Sequence, residues 1–132
     1  MNVVSGLDTL ERRRYLNLET YRRSGKGVRT PVWFAQAPSE QGGPLLYVYT
    51  TADSGKVKRI RRTGVVKIAA CNARGKVDGA WIPARAEIVG GEAFERGMRL
   101  LNRKYWPWKQ LLDLSFRLSP RHQRVMITIR LA

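Results

Sequence analysis

Residues 47–62 read Tyr47-Val48-Tyr49-Thr50-Thr51-Ala52-Asp53-Ser54-Gly55-Lys56-Val57-Lys58-Arg59-Ile60-Arg61-Arg62, and the reading of this stretch decides the fold. It opens with the β-branched and aromatic residues that suit a strand. It closes as a short basic helix on which Lys58, Arg59 and Arg62 project away from Val57 and Ile60. The junction between them, Thr50 to Lys56, is small, polar and glycine-containing. A strand that stops there and turns into a helix leaves the first backbone N–H groups of the helix without partners. Those donors and the positive end of the helix dipole suit a phosphate. Five cations, Lys56, Lys58, Arg59, Arg61 and Arg62, stand within this short run. The segment reads as a phosphate cradle; a solvated basic helix is the plainer alternative.

On the N-terminal side, Asp8 and Glu11 have the spacing of a capping box and predict a short helix ending near Arg14. Tyr15 to Tyr21 alternates and predicts a strand. Arg22 to Gly27 is a turn rich in cations and glycine. Val28 to Ala35 predicts a second strand, in which Pro31 marks either an edge or a break. Ala37 to Pro44 is a loop and Leu45 to Thr51 a third strand. On the C-terminal side, Val65 to Cys71 is nearly all apolar and predicts a central strand. Ala73 to Lys76 is a turn. Ala80 to Val89 alternates, with Trp81, Pro83, Arg85 and Glu87 on its polar face. Glu92 to Tyr105 is the clearest helix, with Phe94, Met98, Leu101 and Tyr105 on its inner side. A second helical segment, Trp108 to Leu118, follows Pro107, and Val125 to Leu131 closes the chain as a strand. The expectation is a mainly β protein: a six-stranded antiparallel barrel with short helices and a helical insert before the last strand, in one domain spanning 1–132.

Composition limits the function. The chain has 132 residues, 43% hydrophobic and 27% charged, which suits a folded globular domain. A single cysteine, Cys71, excludes an internal disulfide framework and a cysteine-based zinc site. A single histidine, His122, leaves little for a metal site or a His-based triad, and no metal is expected. No apolar run is long enough to span a bilayer, and the first residues lack the order of a signal peptide, so a cytoplasmic protein is expected. The net charge of +15 attracts polyanions of every kind, from nucleic acid to phosphorylated small molecules.

Two segments give the chain a family likeness: Arg29-Thr30-Pro31-Val32-Trp33-Phe34, and Tyr47 to Lys56 with its strand, threonine and Ser-x-Lys turn. Together they resemble the flavin-binding split β-barrel proteins, the superfamily of pyridoxamine 5′-phosphate oxidase. The run Ser54-Gly55-Lys56-Val57-Lys58-Arg59-Ile60-Arg61 and the later Cys71 to Val77 segment are more similar to the small branch that uses the deazaflavin coenzyme F420. The likeness runs from about Tyr15 to Gly90. It implies an oxidoreductase that passes hydride between coenzyme F420, or alternatively FMN, and an organic substrate. It also implies a homodimer, for which Trp81, Arg85 and Val89 are candidate interface positions. Coenzyme-binding residues implied by the likeness are Arg29, Pro31, Val32, Trp33, Thr50, Thr51, Ser54, Gly55, Lys56 and Arg59, with Arg22 and Arg23 as candidates for the coenzyme tail. Lys104 lies outside these motifs and is expected to be indifferent to the coenzyme. One departure stands out: Phe34 occupies the place of the oxidase's lysine. That argues against pyridoxine phosphate oxidation and leaves the deazaflavin, with its polyanionic polyglutamate tail, in place. No catalytic residue is identified, because in hydride transfer the coenzyme carries the chemistry. The same coenzyme could instead be bound without turnover. A basic barrel binding nucleic acid non-specifically is the reading from another class, although the aromatics are not interleaved with the basic run.

Overall fold

Period-two alternation and the turn residues between runs produce six strands. The computed structural model describes residues 13–37, 44–105 and 124–131. The strands are β1 (Tyr15–Tyr21), β2 (Gly27–Ala37), β3 (Leu45–Thr51), β4 (Val65–Cys71), β5 (Ile82–Val89) and β6 (Arg124–Leu131). Helix α1 (Gly55–Arg62) joins β3 to β4, and α2 (Gly91–Tyr105) follows β5. The strands close into a barrel in the order β1-β2-β3-β6-β5-β4, every pair antiparallel. The sequence expectation of a six-stranded antiparallel barrel with short helices is borne out. The expected helix near Asp8, the segment Trp108 to Leu118 and His122 lie outside the described residues.

One face of each strand fills the barrel: Leu16 and Leu18 from β1, Phe34 from β2, Val48 from β3, Ile68 from β4, and Ile127 and Ile129 from β6 are all buried there. Ile82, Ala84 and Ala86 of β5 join them, and the small side chains suit the tight interior. Outward positions Pro83, Arg85 and Glu87 are exposed, as their alternation requires. β5 begins at Ile82 rather than Ala80, so Trp81 precedes the strand. Strand β2 is longer than expected and runs unbroken through Pro31. Its first seven residues pair with β1, and only Phe34 to Ala37 pair with β3. Pro31 therefore lies where β2 has a neighbour on one side only, and its missing N–H breaks no ladder there.

Helix α2 covers the outer face of β2, β3 and β6. Leu101 and Tyr105 are buried against Tyr47 and Met126, with Phe94 and Met98 half-buried beside them. The helix approaches closely at Gly97, where a Cβ would stand 2.7 Å from both the Tyr47 ring and the Met126 methyl. Its C-terminal turn fills the place where β2 leaves β1. There the Phe34 N–H donates to the Tyr105 hydroxyl (3.0 Å), and Lys104 Nζ donates to the Phe34 carbonyl (2.9 Å). The Tyr105 oxygen lies 2.5 Å from the Arg14 carbonyl and 2.8 Å from that of Phe34, and its one proton serves one of them at a time. Trp33 stacks on the Tyr105 ring at 4.7 Å. Lys104 is thus a structural residue, seated 3.6 Å from the centre of the Phe34 ring.

Burial pushes the Lys104 amine down to about 8. An unfolded lysine titrates at about 10.4. Below both values the folded state carries the cost of a charged amine held out of water. Between them only the unfolded state keeps the proton, so stability rises with pH across that window. Wild type is expected to gain stability relative to Lys104→Met as the pH is raised from about 8 to about 10, read by urea denaturation at each pH. Tyr21, Tyr105 and Cys71 are common to both proteins and cancel in the difference. A difference independent of pH would contradict the buried, titrating amine.

Candidate functional site: a basic cleft at the barrel mouth

The site is assembled by the same contacts that seat α1. Ser54 caps the helix: its hydroxyl accepts from the Val57 N–H at 3.4 Å, a long bond, and its carbonyl accepts from the Lys58 N–H. Val57 and Ile60 point inward and are buried, Ile60 joining the barrel core. The opposite side of the helix is left to the cations. Arg59, Arg61 and Arg62 lie in the last turn, where they suit the helix dipole, and no acid occupies the first turn.

Two bonds hold this basic face against the end of β1. Arg59 Nε donates to Thr20 Oγ1 at 2.6 Å, and an Arg62 terminal nitrogen donates to the Tyr21 carbonyl at 2.7 Å. The β1–β2 hairpin starts there. Its turn is closed by the Arg22 N–H to the Lys26 carbonyl and by the Gly25 N–H to the Arg22 carbonyl, with Gly25 at φ 89°. A left-handed φ of that size suits glycine. The turn thereby brings Arg22 and Arg23 beside α1. The result is a cleft of about 350 Å³ lined by Arg22, Arg23, Gly55, Lys58, Arg59 and Arg62. Its lining holds five cations, no carboxylate and no aromatic ring.

The positions expected from the sequence divide into two groups. Thr50, Ser54, Gly55, Lys56 and Arg59 come together around the first turn of α1. Lys56 Nζ donates to Thr50 Oγ1 at 3.2 Å, and Thr51 accepts the Ser54 N–H through its carbonyl. Burial first, and Arg59 second, lower the Lys56 amine below the ordinary lysine value. Burial and then Arg22 do the same for Arg59. Arg22 and Arg23 join this group. Besides these two arginines, only Gly55 and Arg59 of the first group line the cleft itself, with Thr50, Thr51, Ser54 and Lys56 outside its lining; Arg29, Pro31, Val32 and Trp33 lie on β2, and none of them lines it either. Arg29 donates through Nε to Glu19 at 2.6 Å and lies over the Trp81 ring at 4.6 Å. Glu19 also accepts from the Tyr21 hydroxyl at 2.6 Å. Tyr21 first, then Arg29, hold its carboxyl below the usual range against the opposing effect of burial. Pro31 is exposed, Val32 is in the barrel core, and Trp33 is stacked on Tyr105. Thr20 is the site residue that sequence reasoning missed. Nothing local marks it, because its partner lies 39 positions away.

Among the described residues no group of three or more His, Cys, Asp or Glu is arranged to hold a metal ion. No helix among them is long and apolar enough to cross a membrane.

No protein-family model and no curated protein matches the sequence. Solved structures match it in fold. A putative pyridoxamine 5′-phosphate oxidase from Listeria innocua is 17% identical, with a TM-score of 0.61 over 93% of this chain and 87% of that one. An F420 reductase is 20% identical, with a TM-score of 0.58 over 95% and 91%. A heme storage protein from Vibrio cholerae is 12% identical, with a TM-score of 0.68 over 96% and 87%. The likeness to the split-barrel proteins read from the sequence is borne out at the level of fold. At these identities the fold is what is shared, and proteins that share it are named for different ligands.

Five like charges in one cleft repel one another and cost stability when no anion is present. Arg22→Gln should therefore raise the thermal midpoint slightly at low salt, by well under ~1 kcal/mol in stability. The gain should shrink as salt is added. Calorimetry at low and high salt reads this; a gain of equal size at both would show that charge repulsion is not its source.

Proposed function

We propose that the protein binds a phosphate-bearing redox coenzyme in the basic cleft, coenzyme F420 in preference to FMN, and transfers hydride between it and an organic substrate. The observation that carries the reading is the convergence of cations from two separate segments, the β1–β2 turn and α1, on one cleft that Gly55, in the first turn of the capped helix, also lines. Oriented backbone donors, a positive dipole end and Arg/Lys side chains are what a phosphate needs. The fold supports it, since an F420 reductase shares it.

The donor set fits the anionic part of such a coenzyme. A phosphate monoester carries a charge of about −1.5 to −2 near neutral pH. Five cations exceed that, so a coenzyme with further anionic groups complements the cleft better than FMN. Val32 and Trp33 are committed to core packing, and the reading does not use them as walls for the ring. The bound coenzyme would supply the hydride chemistry, and the chain's own residues would bind and orient it. A homodimer belongs to the same reading and rests on the family likeness alone. Nucleic acid is disfavoured, because the cleft offers no aromatic side chain on which a base could stack.

Fluorescence titration tests this with F420 and FMN on separate samples. Both should bind, F420 more tightly. Lys56→Ala and Arg59→Ala should each weaken binding by about ten- to a hundredfold, and Ser54→Ala by less, since a neutral hydroxyl bond is weaker. Lys76→Ala, at an exposed turn position, is the control. Failure of both coenzymes to bind at millimolar concentration, or binding unchanged in both Lys56→Ala and Arg59→Ala, would refute the assignment. If binding holds but no hydride acceptor is turned over, the protein is a coenzyme carrier.

A further inference from the structure

We propose that Thr20 is a positioning residue for the cleft: it holds Arg59 by Nε, so that the guanidinium's terminal nitrogens are set across the first turn of α1 to receive a phosphoryl group. This deepens the reading of the cleft as a phosphate site and rests on it.

Three observations fit together. Thr20 is only 1% exposed, at the end of β1, so its hydroxyl is a fixed point. Arg59 Nε donates to that hydroxyl at 2.6 Å. Gly55 leaves room for the guanidinium: a Cβ there would stand 2.7 Å from Arg59 Nη1. A guanidinium has five N–H donors in a rigid plane. Spending the Nε donor on Thr20 fixes that plane and leaves the four N–H bonds of Nη1 and Nη2 on the side of the helix start. Two parallel bonds from such a fork match two oxygens of one phosphoryl group. A lysine at the same position would keep the charge but donate from a single nitrogen, with no planar fork to match two oxygens. Lys56, by contrast, is engaged with Thr50 and acts as a point charge. Two cleft cations are held by hydrogen bonds: Arg62 spends a terminal nitrogen on the Tyr21 carbonyl, whereas Arg59 is held through Nε and keeps both terminal nitrogens for a ligand. The ligand class of the cleft is a phosphate ester or pyrophosphate.

The test uses inorganic pyrophosphate as probe, with calorimetric titration of the whole protein. Thr20→Val keeps every charge and nearly the same volume, and should weaken pyrophosphate binding about fivefold. Thr20→Ser, which keeps the hydroxyl, should restore the wild-type affinity. Gly55→Ala leaves Thr20 intact and displaces the guanidinium; it should weaken binding as Thr20→Val does. Arg59→Lys should bind at least as weakly as Thr20→Val although the net charge is unchanged. The salt dependence of binding should be the same in wild type and Thr20→Val, because no charge is lost. Wild-type affinity in Thr20→Val or in Arg59→Lys would overturn the proposal. So would equal weakening in Thr20→Ser and Thr20→Val, which would assign the loss to packing. Should Thr20→Val fail to fold by circular dichroism, Gly55→Ala and Arg59→Lys decide the matter. Pyrophosphate binding that depends on Thr20 and Arg59 without any binding of F420 or FMN would keep this inference and remove the coenzyme reading. Coenzyme binding that ignores both residues would do the reverse.

Discussion

Burial of Val57 and Ile60 at one mouth of the barrel fixes the helix that carries three of the five cations in the cleft. A helix of eight residues is too short to be stable alone in water, so α1 exists because the barrel accepts its apolar side. Full burial of a valine or isoleucine contributes about 1.5–3 kcal/mol each. Once those two side chains are seated, helical geometry leaves Lys58, Arg59 and Arg62 on the other side. The bonds from Arg59 to Thr20 and from Arg62 to the Tyr21 carbonyl then tie that side to the β1–β2 hairpin, which carries Arg22 and Arg23. The cleft is therefore a consequence of how the barrel is capped.

The same arrangement sets stability against function. Two like unit charges about 7 Å apart repel by roughly 0.6 kcal/mol in bulk water and about 2.4 kcal/mol at an effective permittivity of 20. The lining of the cleft gathers five cations, and salt reduces their repulsion. The burial of Val57 and Ile60 offsets that repulsion, which explains how the helix stays seated with no acid in its first turn. The lowered pKa values of Lys56 and Arg59 come mainly from burial, and a neighbouring arginine adds to each. An anion in the cleft would relieve the repulsion. Elsewhere the chain pairs its charges. Arg29 meets Glu19, and Arg13 meets Asp78 at 2.6 Å, whereas the lining of the cleft holds no carboxylate.

Much of this was legible in the sequence, for physical reasons. Strand alternation is a local property, and β1, β3 and β4 have the bounds that the pattern of residues gave. The inner side of α2 followed from helical spacing. The turn from β3 into α1, with Ser54 as cap and Thr50 beside Lys56, was also local. What escaped depends on register and on long-range packing. Arg29 was assigned to the coenzyme, yet hairpin geometry places it opposite Glu19, and the alternating runs on either side of the Arg22–Lys26 turn carried that opposite-charge pair as a signal. Trp33 was open to coenzyme contact or plain packing; it stacks on Tyr105, a partner that could not be named from the sequence because it comes from a helix 72 positions later. The role of Lys104 was not legible, because nothing in its neighbours announces that β2 parts from β1 beneath it. Thr20 was invisible for the same reason.

The central claim is that the cleft between the β1–β2 turn and α1 receives the anionic end of a coenzyme. Nuclear magnetic resonance tests it most directly, by following backbone amide shifts while F420 is added. The account predicts that the largest changes fall at Ser54 to Arg59 and at Arg22 and Arg23, with the Arg59 side-chain Nε signal moving among them. Largest changes on the outer face around Arg29 and Trp81, or beside Trp33 and Tyr105, with Gly55 and Arg59 unmoved, would contradict it.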